Sequence, residues 1–273
     1  MRLLIAVDME GATGVVGWDQ VDPGKPEYLR FRRLLTADVN AAVAGALEAG
    51  ATDIVVSDGH WDSGNVLIEE LHPQARLNTG SPSPFSMVES AQDGVDAAFF
   101  VGYHARAGTL HAILDHTWSL RVANVFLNGR EVGETGLNAA LCGHFGAPVL
   151  LVTGDRALAA EAMDWLPGVE TAVVKTAHGR YAAQCLPPAR TGPLIQEAAR
   201  SAVRRFLDGR GPLPLKVAQP VALRIEFTAS QMGDKASLLP GARRLDARAI
   251  EFAAPDMAQA YRTFQAAVSL AGA

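Results

Sequence analysis

Short apolar runs of β character alternate with helical patterns along the first half of this chain. Strands are predicted at 3–7, 53–57, 97–102 and 148–153, and a helix is predicted at 28–49. Such alternation is typical of a parallel sheet whose two faces are covered by helices. With 49% hydrophobic and 19% charged residues, the 273-residue chain has ample material for a buried core. The sequence therefore predicts an α/β fold, a three-layer sandwich around a largely parallel sheet.

The pattern changes near residue 155, where we expect a domain boundary. A larger α/β domain is predicted at 1–155 and a smaller C-terminal α/β lobe at 156–273. A connector rich in glycine and proline is predicted at 209–220. The remaining predicted elements are a strand at 122–127 with a hairpin turn at Asn128–Gly129, strands at 170–175 and 222–227, and helices at 135–145, 158–165, 193–207 and 257–270.

Composition and charge exclude several classes of partner. The net charge of −5 gives no basic field for binding nucleic acid, so no nucleic-acid partner is expected. No apolar stretch approaches the roughly 20 residues needed to span a bilayer, and the N-terminal sequence lacks the pattern of a signal peptide. Cys142 and Cys185 lie far apart in apolar surroundings, which favours two buried thiols over a disulfide. These features predict a cytoplasmic protein with no membrane partner.

The segment AVDMEGATGVVG, residues 6–17, follows the first strand and permits two interpretations. Its glycines are typical of a phosphate-binding loop, whereas Asp8 and Glu10 indicate a divalent metal. The glycine spacing is G-x-x-G-x-x-G rather than the G-x-G-x-x-G of dinucleotide-binding proteins, and no Gly-Lys-Ser/Thr follows. The two carboxylates would also repel a pyrophosphate. We therefore favour a metal site, in which glycine lets the backbone turn tightly past a crowded centre.

Acidic and imidazole side chains follow three successive predicted strands. Asp8 and Glu10 follow the first, His60 follows the second and His104 follows the third. In open parallel sheets, ligands bind beyond the carboxyl ends of the strands. Two adjacent carboxylates repel each other unless a cation lies between them, and carboxylate with imidazole is a ligand set that suits zinc. Taken singly, each residue is more simply a helix cap or a satisfied polar group, so the prediction depends on their joint placement.

Two further residues are nominated near this set. Glu134 lies just beyond the predicted hairpin and is a candidate ligand. Asp58 precedes His60 by two residues, and we expect it to orient the imidazole through its other ring nitrogen.

Four separated motifs carry a resemblance to a known family. In chain order they are VDMEG at 7–11, SDGH at 57–60, GYHARAG at 102–108 and VGETGLNA at 132–139. Together they resemble the zinc-dependent D-aminopeptidase family, and the similarity spans most of the chain. Four motifs in the same order form a specific signal, although each one alone is weak.

The resemblance implies a centre of two zinc ions in the 1–155 domain. Asp8 would bridge both metals. Glu10 and His60 would complete one site, and His104 and Glu134 would complete the other. This set agrees with the residues found at the strand ends and brings in Glu134.

A further histidine of that family acts in catalysis without holding metal. The resemblance favours His116, in the sequence DHTWS, over His111, because the flanking residues of His116 fit better. Trp18, Trp61 and Trp118 each lie shortly after a motif. Each is interpreted equally well as part of a substrate-pocket wall or as part of the core.

The resemblance implies a binuclear zinc aminopeptidase, a hydrolase that removes the N-terminal residue of short peptides through a metal-activated water. It also implies a preference for an N-terminal D-amino acid such as D-Ala, and a ring-shaped homo-oligomer of the decamer type. Two alternatives stay open. One is a non-catalytic peptide-binding protein of the same fold, and the other, ranked below it, is a nucleotide-binding α/β enzyme.

Overall fold

A sheet of seven strands forms the centre of the structure, a computed structural model that describes residues 1–272. All neighbouring strands are parallel except the last pair. Numbered along the chain, the strands lie in the spatial order β3 (Ala75–Asn78), β2 (Asp53–Asp58), β1 (Arg2–Val7), β4 (Ala97–Val101), β7 (Val149–Asp155), β8 (Glu170–Gly179) and β9 (Ala182–Cys185). The central strands are continuous apolar runs because both faces of a parallel sheet are covered.

Helices cover both faces of this sheet. On one face, Leu3, Ile5 and Phe99 share a hydrophobic cluster with helices α1 and α4. On the other face, the alternate residues Leu4 and Phe100 share a cluster with α2 and α3, since successive strand side chains point to opposite faces. The helices are α1 (Tyr28–Glu48), α2 (Glu134–His144), α3 (Arg156–Trp165) and α4 (Pro188–Leu207).

A second sheet of five antiparallel strands packs beyond α2. In spatial order its strands are β11 (Arg243–Arg244), β12 (Ala249–Ala254), β10 (Val221–Phe227), β5 (Val122–Leu127) and β6 (Arg130–Glu131). Two helices, α5 (Ser230–Ala236) and α6 (Met257–Gly272), pack against it. The three-layer arrangement with a second, smaller sheet confirms the predicted α/β fold class.

Strand pairing crosses residue 155 in both directions. Strands β8 and β9, which follow residue 155, extend the parallel sheet, whereas β5 and β6, which precede it, pair into the sheet of the C-terminal part. The predicted boundary at residue 155 therefore does not coincide with a boundary between the two sheets, and the division into 1–155 and 156–273 stays a prediction. The β5–β6 hairpin, which turns at Asn128–Gly129, leads directly into α2, so it positions the first residue of that helix.

Several local features differ from the sequence-based predictions. Helix α4 begins at Pro188 rather than at residue 193, and Cys185 is only half-buried although Cys142 is buried. Both thiols are free. Among residues 1–272, no helix is at once long enough and apolar enough to cross a membrane. The elements that the sequence analysis missed are β3, β9, β11, β12 and α5.

Candidate metal centre

Three adjacent strands deliver the predicted ligands to one edge of the parallel sheet. Strands β2, β1 and β4 lie side by side, and Asp8 and Glu10 follow the middle one. His60 follows β2 and His104 follows β4. Glu134 comes from outside the sheet, as the first residue of α2. All five side chains are buried, and each is at most 5% exposed.

The first group of ligand atoms comprises Asp8, Glu10 and His60. His60 Nδ1 lies 3.2 Å from Asp8 Oδ1 and 3.1 Å from Glu10 Oε2. The other ring nitrogen, Nε2, lies 2.9 Å from the carbonyl oxygen of Val21. Because a carbonyl can only accept, Nε2 carries a proton, and Nδ1 faces the carboxylates, where it holds a second proton without metal and would bind a cation through its lone pair.

The second group uses the other oxygen of the same aspartate. His104 Nε2 lies 3.3 Å from Asp8 Oδ2 and 3.2 Å from Glu134 Oε1. His104 Nδ1 lies 3.0 Å from the carbonyl oxygen of Ala105, so Nδ1 carries a proton and Nε2 faces the two carboxylates. The two groups therefore share Asp8 and divide its two oxygens between them, so that Asp8 would offer one oxygen to each of two metal ions.

Two ligand atoms have no hydrogen bond within residues 1–272. Glu10 Oε2 and His104 Nε2 are buried and lie 3.1 Å and 3.3 Å from the nearest polar atoms of His60 and Asp8, yet neither has a hydrogen-bond partner of standard geometry. Buried polar atoms normally have a partner, because an unsatisfied one costs about 1–3 kcal/mol. Buried ligand atoms that lie close together without hydrogen bonds are the arrangement expected around a bound cation. Carboxylate oxygens with imidazole nitrogens fit zinc in particular.

The electrostatics of the cluster also favour added positive charge. Burial raises the pKa of Asp8, but the neighbouring imidazoles of His104 and His60 outweigh it and hold that pKa well below its usual range. Burial lowers the pKa of His60 and of His104, but the neighbouring carboxylates outweigh it and raise both well above their usual range. Protons on the imidazoles therefore balance the carboxylates when no metal is bound, and metal binding must release them.

The predicted hydrogen bond between Asp58 and the His60 ring is not formed, because the Val21 carbonyl occupies that position. The Asp58 carboxylate instead accepts hydrogen bonds from the Asn65 backbone and side chain and from the Val66 backbone, at 2.5–2.8 Å. The Asn65 amide also donates to the His60 carbonyl at 2.6 Å. The orienting contact of the imidazole comes from Val21, so Asp58 fixes the loop around His60 rather than its ring.

His116 lies beside both groups and forms a third possible ligand group with Glu10 and His104, whereas His111 belongs to none of the three. The His116 ring stacks on that of His104 at 3.9 Å between centroids, and its Nε2 is 3.9 Å from a carboxylate oxygen of Glu10 and of Glu134. Its Nδ1 lies 2.8 Å from the Leu114 carbonyl, so Nε2 is bare. Burial lowers the pKa of His116, and the charge of His104 lowers it further. His111 is exposed, and its Nδ1 lies 3.1 Å from the carbonyl of His178.

The sequence analysis missed Lys175, which holds the loop that carries the ligands. Its ammonium is buried and donates to the carbonyl oxygens of Glu10 at 2.6 Å, Ala12 at 2.9 Å and Val15 at 2.7 Å. Burial lowers the pKa of Lys175 to about 8, against the raising effect of nearby acids that include Asp38. A lysine inside the apolar strand ETAVVKTA was the available signal, because an unpaired charge is rarely buried.

Gly11 is required where this loop crosses the next one. A Cβ atom at this position would lie 1.8 Å from the carbonyl oxygen of Tyr103, closer than any real contact. The backbones of the two ligand-bearing loops are also joined by a hydrogen bond from Gly11 N–H to Gly102 at 2.7 Å. The glycine therefore allows a close approach beside the centre, as expected, and gives no support to a phosphate-binding loop.

A cavity of about 1100 Å³ opens onto the cluster. Trp18, Trp61 and Trp118 all line it, and Trp61 is 56% exposed, so the pocket-wall interpretation holds for these side chains. Trp118 also donates its backbone N–H to Glu134 Oε1 at 2.7 Å and thereby ties the wall to a ligand. The volume is at the upper end of small-molecule pockets, which leaves room for a short peptide.

Comparison with known proteins agrees with this geometry. The sequence profile of peptidase family M55, described as D-aminopeptidase, matches residues 1–266. A D-aminopeptidase of Bacillus subtilis (strain 168) is 38% identical over 272 residues, which cover 99% of this chain and 98% of that protein. A solved structure described as the Zn-dependent D-aminopeptidase DppA from Bacillus subtilis, a self-compartmentalizing protease, matches with a TM-score of 0.96 and 38% identity. That match covers 100% of this chain and 98% of the other. The predicted family and enzyme class are thereby confirmed: the chain belongs to the D-aminopeptidase family.

Proposed function

We propose that this chain is a zinc-dependent aminopeptidase that removes an N-terminal D-amino acid, such as D-alanine, from short peptides. One observation carries the proposal: two buried ligand groups share Asp8 and leave Glu10 Oε2 and His104 Nε2 without hydrogen bonds. The family match and the printed description of the solved relative as Zn-dependent support zinc and the D-configuration.

The proposed ligands follow from the two groups. Asp8, Glu10 and His60 would hold one zinc ion, and Asp8, His104 and Glu134 would hold the other. Bound zinc supplies Lewis-acid polarisation of a carbonyl and lowers the pKa of water towards about 7.

His116 is the proposed proton carrier. Its Nδ1–H is fixed by the Leu114 carbonyl, so its bare Nε2 faces the cluster and the cavity. The lowered pKa of His116, caused by burial and then by the charge of His104, keeps the ring uncharged near neutral pH. An uncharged imidazole can accept a proton at Nε2 and donate it to the leaving amine, which is general acid–base catalysis.

The charge of the cavity favours an exopeptidase. The carboxylates of Asp22 and Asp62 line the cavity and are not proposed ligands, so bound zinc does not neutralise them and they would attract the free ammonium group of a peptide. An internal peptide bond brings no ammonium group into the cavity, so we expect cleavage only after the first residue.

The test combines metal analysis with an assay on D-Ala-D-Ala and L-Ala-L-Ala, before and after chelation. We expect two zinc equivalents per chain and D-selective hydrolysis that chelation abolishes and zinc restores. Zinc without turnover on any peptide would favour the peptide-binding alternative. Activity and thermal stability that chelation leaves unchanged would contradict a metal site altogether.

We also propose that the chain forms a ring-shaped homo-oligomer, since the solved relative is described as self-compartmentalizing. Helix α4 presents the exposed side chains of Leu194 and Leu207, whereas α6 has no large apolar side chain among the exposed ones within residues 1–272. Light scattering coupled to size-exclusion chromatography tests this, and a monomeric mass would contradict it. A cytoplasmic location is proposed with it, supported by the two free thiols.

A further inference from the structure

The wall of the cavity is electrically asymmetric. Beside the three carboxylates of the metal centre, Asp22, Asp58, Asp62 and Glu89 line it. Arg121 is the only arginine or lysine in the wall among residues 1–272. A cavity lined by several carboxylates and a single guanidinium is complementary to a ligand that carries both charges.

The Arg121 guanidinium has no acidic partner among residues 1–272. Within the described chain it forms no ion pair, whereas Arg106 pairs with Glu131 at 2.7 Å and Arg180 pairs with Asp115 at 2.9 Å. It lies against the backbone of α6, where a Cβ atom at Gly272 would be 3.1 Å from Nη1. The five N–H donors of a guanidinium match a carboxylate in a two-bond geometry, so an anionic ligand group fits here.

The backbone of Arg121 is fixed from two sides. Its carbonyl accepts a hydrogen bond from the Thr228 N–H at 2.8 Å, and its own N–H donates to Ser119 Oγ at 3.3 Å. Trp118, three residues earlier, donates its N–H to Glu134 Oε1 at 2.7 Å. The backbone that carries the Arg121 side chain is therefore fixed relative to Glu134, a proposed metal ligand.

The spacing suits a peptide of two or three residues. Three residues of extended chain span at most about 11 Å, so the Cα atoms of Trp118 and Arg121 lie no farther apart than that. A dipeptide or tripeptide in extended form is about 7–10 Å long. With its N-terminal residue at the metal centre, such a peptide is long enough to bring its C-terminal carboxylate to the Arg121 guanidinium.

We propose that Arg121 binds the C-terminal carboxylate of the substrate and so selects short peptides with a free C-terminus. The inference rests on the proposed aminopeptidase function and adds the substrate class. Arg121 is a specificity residue in it and takes no part in the chemistry of bond cleavage.

The test compares one peptide sequence in two forms, D-Ala-D-Ala with a free carboxylate and the same dipeptide as its C-terminal amide. The measured quantity is the ratio of kcat/KM for the acid to kcat/KM for the amide. We expect Arg121→Gln to lower this ratio about 10-fold, mainly through KM for the acid, because a charge-assisted pair is lost. Arg121→Lys, which keeps the charge without the two-bond geometry, should recover part of the ratio.

Arg204→Gln is the matched control, because Arg204 is exposed on α4 and lies outside the cavity wall. It should leave the ratio within about twofold of the wild type. A ratio that Arg121→Gln leaves unchanged, with unaltered zinc content and melting temperature, would overturn the inference while the aminopeptidase function stands. Failure of the wild-type protein to cleave either form would instead count against the proposed function.

Discussion

The loop at 8–15 joins two buried polar clusters that balance charge in different ways. In the cluster around Lys175, the ammonium donates to three carbonyl oxygens of the loop, so all its N–H donors have acceptors. In the metal centre, Asp8, Glu10 and Glu134 face imidazoles, and two ligand atoms lack hydrogen bonds. One cluster contains the cation of its own lysine, and the other takes up cations from solution, either protons on its imidazoles or metal ions. Unsatisfied ligand atoms, rather than burial alone, therefore distinguish a metal site from a structural one.

The largest effect is expected for Asp8→Asn. This change keeps the side-chain volume and the acceptor for the Met9 N–H but removes the charge that both ligand groups share. We expect loss of bound zinc and a fall in kcat/KM of about 10³-fold or more, since Lewis-acid stabilisation is worth several kcal/mol. Mass spectrometry of bound metal and the D-Ala-D-Ala assay measure both effects. The exposed Asp208→Asn serves as the control, and a variant at residue 8 that keeps zinc and activity would break the comparison.

Lys175→Met tests the cluster that contains its own cation. The change removes a donor from three buried carbonyl oxygens, of which only that of Ala12 keeps another within residues 1–272, the Val15 N–H at 3.2 Å, so we expect the free energy of unfolding to fall by about 3–5 kcal/mol. Lys216→Met is the matched control, because Lys216 is half-buried and donates to one carbonyl, that of Gly143. Its effect should be about 1 kcal/mol in urea denaturation. Equal losses for the two variants would contradict the role given to Lys175.

His116→Ala separates a ligand from a proton carrier within the metal centre. We expect kcat to fall about 10²-fold, because general acid–base catalysis contributes at least that much, while zinc content stays at two equivalents per chain. His111→Ala, at an exposed position away from the cluster, should leave kcat within about twofold. Loss of one zinc equivalent from His116→Ala would make His116 a ligand instead.

Asp38→Asn has a smaller effect that depends on pH. Burial raises the pKa of Asp38 to about 6, against the lowering effect of hydrogen bonds from Thr13. Because the folded protein then binds more protons than the unfolded chain between about pH 4 and 6, this group reduces stability as the pH rises through that range. The unfolding free energy of wild type minus variant should therefore fall by about 2 kcal/mol from pH 4 to pH 7. If the unfolding free energy of wild type minus that of the variant instead rises with pH, the raised pKa of Asp38 is contradicted.

The sequence predicted the parallel sheet better than the antiparallel one. Strand β1 at Arg2–Val7 and helix α1 at Tyr28–Glu48 lie within one or two residues of their predicted bounds, since continuous apolar runs and a long amphipathic segment are strong signals. Strand β12, with the sequence AIEFAA, was missed because alanine has little β-propensity and its pairing partner β10 fixes the strand. Tertiary pairing of this kind leaves no local pattern.

The same limit applies around the site. The strand ends and the resemblance nominated all five candidate ligands, because ligand chemistry requires particular residue types. The orienting contact of His60 comes from the Val21 carbonyl, and Lys175 also contacts backbone oxygens. A backbone carbonyl is present at every residue, so no sequence pattern marks it. Asp58 was consequently assigned a contact that the Val21 carbonyl makes instead.

The most direct test of the bridging role of Asp8 is anomalous diffraction at the zinc edge from crystals of the zinc-loaded protein. We expect two zinc sites in each chain, both in contact with Asp8. One should also contact Glu10 and His60, and the other His104 and Glu134. A single zinc site, or two sites that do not share Asp8, would contradict the account.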